Sequence, residues 1–130
     1  MTVNYLAVLV AAIAAYGFGA IYYMSLSNAW LDAVGLKKEQ LSTSKTPFIV
    51  AAVANLVMAG TLAGLMAHLG PITIRAGIIS GALCWLGFVA TTIAVNNVYP
   101  GRKPKLSIID GIHWLGVLVI QGAIIGAFGA

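Results

Sequence analysis

The charged residues of this chain are so few and so grouped that they divide it into four long runs almost free of charge, and this division limits the fold more than any other feature. Asp32, Lys37, Lys38, Glu39 and Lys45 form one group, Arg75 stands apart, and Arg102, Lys103, Lys105 and Asp110 form another. Each run can supply the roughly 20 residues that a helix needs to cross bilayer hydrocarbon. With 61% hydrophobic residues, 8% charged residues and a mean hydropathy of +0.99, the chain lies outside the composition of soluble domains. The pattern predicts an all-α integral membrane four-helix bundle in a single domain, with spans near 3–24, 47–69, 74–97 and 107–128. The first run lacks a basic leading segment and is too long for a signal-peptide core, so it is expected to remain as a span.

The basic residues fix an expected orientation. Lys37, Lys38 and Lys45 fall in the first connection and Arg102, Lys103 and Lys105 in the third, whereas the second contains only Arg75. This imbalance predicts that the first and third connections are cytoplasmic, and hence a multi-pass protein of a bacterial inner membrane with periplasmic N- and C-termini. The same placement explains the net charge of +4 without a nucleic-acid partner; the expected partner is the lipid bilayer. The single cysteine, Cys84, lies inside the third span, where it forms no intrachain disulfide and reads as a small packing residue.

The connections carry their own signals. Gly70-Pro71 predicts a tight turn between the second and third spans. In the longer first connection Leu26, Trp30 and Val34 recur at helical spacing, Asn28 can cap a short helix and Gly35 can end it. A short cytoplasmic interfacial helix over 28–35 is therefore expected, with Trp30 as its anchor. Thr46-Pro47 should restart a helix, with Thr46 as cap and proline in the first position. Tyr99 and Trp114 fall at the same predicted boundary as Trp30, as an aromatic belt requires, whereas Trp85 sits in mid-span and needs a partner for its indole N–H.

Polar groups inside the spans are the candidate functional residues. In "SIIDGIHW", Ser107 followed by Asp110 resembles a capping box, and an anion in the first turn suits the helix dipole. Asp110, His113, Val117, Gln121 and Phe128 share one sector of the fourth helix, giving a polar stripe that must face protein or water. Two readings stay open for it: interhelical hydrogen bonding, or proton handling by Asp110 and His113. Ser80, Cys84, Gly87 and Thr91 form a small-residue stripe on the third helix, and Asn55 stands among alanines on the second, near Met58 and Leu62. These groups either line a narrow interior or allow close packing. Gly60 with Gly64, Gly77 with Gly81, and Gly122 with Gly126 are glycine pairs four apart, the spacing of membrane helix contacts. Gly60 and Gly64 lie opposite Asn55, so one face of the second helix can serve the core and the other a neighbouring copy.

Enzyme chemistry is not expected. His68 and His113 belong to opposite ends of the bundle and cannot share a metal ion, and no cofactor motif is present. The chain has no nucleophile elbow, no zinc-protease motif, no phosphate loop and no pair of carboxylates within one span.

The stretch "GFGAIYYMSLSNAWLDAVGL", with "WLGFVA" from Trp85, "GR" at Gly101, "IDGIHW" from Ile109 and "GAIIGAF" from Gly122, resembles the domain of unknown function 1761 family of small four-span bacterial membrane proteins. The resemblance covers nearly the whole chain and implies a four-helix bundle without an assigned activity. Tyr22, Tyr23, Trp30, Trp85 and Asp110 coincide with its recognisable positions. Of these, Tyr22, Tyr23 and Trp30 are expected to act as interface anchors. Two functions are compatible with the whole pattern. One is a structural or accessory component of a homo-oligomer or larger membrane complex. The other is an oligomeric small-solute or proton-linked transporter lined by Asp110, His113, Gln121 and Asn55.

Overall fold

The computed structural model describes residues 3–129, which are helical or in turns, with no strand among them. Six α-helices follow in order: α1 (Tyr5–Ser25), α2 (Ser27–Val34), α3 (Thr46–Leu69), α4 (Ile74–Cys84), α5 (Thr91–Val98) and α6 (Pro104–Phe128). A π-helical segment, Trp85–Ala90, joins α4 to α5, so that Ile74–Val98 forms one long helical element. That element, α1, α3 and α6 are each long and apolar enough to cross a membrane.

Local chemistry sets the helix ends, and several differ from the sequence expectation. Asn4 starts α1, its side chain accepting from the Ala7 N–H at 3.1 Å. Thr73 does the same for α4 through Ala76 at 3.0 Å. Thr46 is not the cap of α3 but its first residue. Ser44 Oγ accepts from the Thr46 N–H at 3.1 Å, so the polar start lies two residues earlier. Asn28 likewise lies inside α2 rather than capping it, while Gly35 ends that helix in the left-handed conformation at φ 79.

The largest correction concerns α6. It starts at Pro104 rather than near Ser107, because proline suits the first turn, where its missing N–H removes no bond. Ser107 is then inside the helix, and Asp110 is well beyond the first turn. The capping-box reading of Ser107 and Asp110 is therefore overturned. Ser107 instead accepts from Asn97 Nδ2 at 3.1 Å, and Asn97 Oδ1 accepts from Arg102 at 3.2 Å, which pins the turn between α5 and α6.

The third span runs from Ile74 to Val98, and a π-helical segment that the periodicity does not signal lies within it. A π turn shifts the backbone register, and in an apolar setting its displaced carbonyls need other donors. The Thr91 hydroxyl supplies one, donating to Gly87 O at 3.0 Å. The shift also sends the Trp85 indole N–H to Gly111 O on α6 at 2.7 Å, which meets the need created by its mid-span position.

Helix α6 is the hub and touches each of α1 to α5. Its approach to α4 is backbone against backbone. A Cβ on Gly77 would fall on the Gly122 carbonyl, and one on Gly122 would fall on the Gly77 carbonyl. Gly81 stands in the same way against Leu118, and Gly126 against Thr73. Small residues allow such approaches, and lipid-exposed helices gain from them by dispersion rather than by hydrophobic burial. On α1 the ridge Ala7, Ala11, Ala15 and Gly19, spaced four apart and all buried, takes α3 and α6 closely. The main core joins Ala7, Ala11, Ala59, Leu62, Met66 and Leu118, and a smaller cluster under α2 joins Ala33, Leu106 and Ile109.

Candidate functional site

The polar candidates Asp110, His113, Gln121 and Asn55 collect at two stations along α6. At the first, α1 brings two tyrosines to the start of α6. The Tyr22 hydroxyl donates to Ile109 O at 2.6 Å, and the Tyr23 hydroxyl donates to Asp110 Oδ1 at 2.6 Å. Both rings lie in the smaller core cluster beside Trp30. A purely interfacial anchoring role does not account for them, because their hydroxyls are committed to α6 rather than turned to a surface. Trp30 is half-buried with its ring 6.3 Å from that of Tyr23, while Tyr99 is 86% exposed, free to lie at a boundary.

His113 is the centre of this station. It is buried, with its ring 4.7 Å from Tyr23, 5.6 Å from Tyr22, 4.5 Å from Trp114 and stacked on Phe18 at 6.1 Å. Two glycines make the nest possible. A Cβ at Gly19 would stand 2.7 Å from His113 Nε2, and one at Gly116 would run into the Phe18 ring. Each helix thus inserts one ring into the other's glycine notch. Neither glycine belongs to a pair four apart, so the GxxxG pattern passes over them. The available signal was the four-residue ridge of α1, whose last member is Gly19. Gly116→Ala should loosen this contact by about 1–3 kcal/mol, the usual range for overpacking. Thermal unfolding of detergent-solubilised protein checks it, and an unchanged midpoint would show that the notch yields freely.

At the second station Gln121, fully buried, donates through Nε2 to Asn55 O on α3 at 3.0 Å. Asn55 Oδ1 lies 3.5 Å from the same nitrogen, while Asn55 Nδ2 donates back to Ala51 O at 2.9 Å. The four polar candidates are therefore not one cluster: Asp110 with His113 and Gln121 with Asn55 are separate pairs, with buried Val117 between them on α6. Phe128, assigned to the same stripe by helical periodicity, is exposed.

Outside these stations Asp32 at the α2 end receives Lys103 at 3.7 Å and Lys105 at 3.4 Å. All three side chains are more than half exposed, so these pairs orient α2 against α6 and add little stability. Among the described residues no group of His, Cys, Asp and Glu could hold a metal ion. Of the glycine pairs, Gly77/Gly81 and Gly122/Gly126 lie between α4 and α6, whereas Gly64 has no atom within 4 Å of its would-be Cβ and Gly60 only Val8 at 3.9 Å.

Four apolar helices of spanning length, knit by glycine contacts and with polar side chains turned to one another, define a multi-pass membrane protein. Residues 6–126 match the family described as protein of unknown function, DUF1761, and the chain belongs to that family. No curated protein and no solved structure matches it.

Proposed function

We propose that the protein is a structural or accessory subunit that assembles with copies of itself through the outer face of α3. The observation that carries this reading is the contrast among the three glycine pairs. Two are already consumed between α4 and α6, while on α3 Gly64 is left open and Gly60 meets only Val8 at 3.9 Å. They continue, at helical spacing, the exposed face of Val53 and Val57, opposite the buried Asn55, Ala59 and Leu62. An apolar groove lined by Ile49, Val50, Val53, Ala54, Val57 and Met58 lies on the same face. A helix face that pairs apolar knobs with a glycine notch suits a second copy of itself.

The arrangement fits a four-helix bundle in which the α2 end is cytoplasmic. Lys103 and Lys105 of the third connection meet Asp32 of the first, so both basic connections lie at one end. There α2 is suited to lie at the headgroups as an interfacial helix. The membrane that fits this orientation is a bacterial inner membrane, with both termini on the periplasmic side. No catalytic role is proposed.

Native mass spectrometry of protein released gently from its membrane tests the reading. The unmodified chain should appear as a homo-oligomer, and Gly64→Leu should shift it to the monomer without unfolding it, since a Cβ at Gly64 meets no atom within 4 Å. A monomeric unmodified chain, or an oligomer indifferent to the substitution, would overturn the assignment.

A further inference from the structure

Two buried polar atoms find no hydrogen-bond partner among the described residues: His113 Nδ1 and Gln121 Oε1. Their side chains are 6% and 0% exposed. Leaving such an atom unpaired costs about 1–3 kcal/mol, and where protein supplies no partner, native interiors use ordered water. One orphan would be a local matter. Here both occur on the same buried face of α6, two helical turns or about 12 Å apart, with Val117 midway.

That face begins at an accessible end. Asp110 is half-buried one turn before His113, and the exposed Asp32, Lys103 and Lys105 lie near the start of α6. It ends at Asn55 of α3, because farther along the helix Ile125 joins Leu62 and Met66 in the apolar core. We propose that the Asp110–His113–Val117–Gln121 face is a water-accessible half-path leading from the α2 end of the protein to the Asn55–Gln121 amide pair. The ligands are water and protons. A proton accepted on one imidazole nitrogen of His113 and released from the other leaves a neutral ring in the opposite tautomer, and the return transfer restores it. Val117, 0% exposed, lies one turn from each polar neighbour, so the path runs past its side chain. The path delivers to the interior and does not cross the membrane. It is independent of self-assembly through α3.

The composition offers a direct test, because Gln40 and Gln121 are the only glutamines. Protein labelled with 15N-glutamine and placed in lipid nanodiscs gives two side-chain amide signals, which Gln40→Asn assigns. The Gln121 amide protons should exchange with water within seconds. Persistence for hours in D2O, as in a sealed core, would overturn the proposal. A cysteine pair in a Cys84→Ala background locates the path. Val117→Cys should react with a small cationic methanethiosulfonate several times faster than Leu118→Cys, its equally buried neighbour on another face of α6. Equal rates, or no reaction at either position, would overturn the route past Val117. The glutamine experiment needs no change inside the bundle, so its outcome stands even if a cysteine variant fails to fold.

Discussion

Gly122→Ala is expected to destabilise the protein by about 3 kcal/mol, at the upper end of the overpacking range. The added methyl has nowhere to go. It would coincide with the Gly77 carbonyl on α4, and that contact is main chain on both sides, so no rotamer change relieves it. The two helices must separate, and separation also loosens Gly81 against Leu118 and Gly126 against Thr73 along the same seam. Gly17→Ala is the control: on α1 this glycine has nothing within 4 Å of its would-be Cβ. It should be neutral or gain about 0.5–1 kcal/mol from the lost flexibility of glycine. Unfolding in mixed micelles with increasing SDS measures both. Equal stability of Gly122→Ala and the unmodified protein would show that α4 and α6 do not meet at Gly77 and Gly122.

The second large effect is expected at Asp110. Asp110→Leu removes the acceptor of the Tyr23 hydroxyl and leaves a half-buried phenol O–H unsatisfied, a loss of about 1–3 kcal/mol. Asp110→Asn keeps a side-chain oxygen in place and should retain most of that stability. Tyr23→Phe removes the other partner and should cost about 1 kcal/mol in the native background. In the Asp110→Leu background it should cost nothing further, since the bond is already gone. A double-mutant cycle measures this coupling. If the effects of Tyr23→Phe and Asp110→Leu simply added, the carboxylate would be serving α6 itself, as a helix-terminal charge does, and the link from α1 to α6 would have to be abandoned.

These two seams differ in how far they can be read from the residues. The glycines at 77, 81, 122 and 126 stand out by spacing, but which pair meets which partner depends on the crossing of α4 and α6. Gly60 and Gly64 share the same motif, yet Gly64 stays open and Gly60 meets only Val8 of α1. Spacing reports that a helix has a notch; only the arrangement of the other helices decides what fills it. The His113 nest shows the reverse case. Gly19 and Gly116 carry no motif, and their role exists only because two rings from opposite helices enter them.

What the sequence alone determined is the set of four apolar spans, the short helix before Gly35 and the in-line placement of Asp110, His113 and Gln121. Each follows from helical periodicity and from the cost of charge in hydrocarbon, properties that a segment carries by itself. Only the tertiary structure decided that Asp110 binds Tyr23 instead of capping a helix, that the tyrosines turn inward, and that the polar stripe is two stations divided by Val117. Those outcomes depend on Pro104 winning the start of α6 and on α1 delivering Tyr22 and Tyr23 from more than eighty residues away. Partners so distant leave no periodicity in either segment, and the bond between them arises from packing.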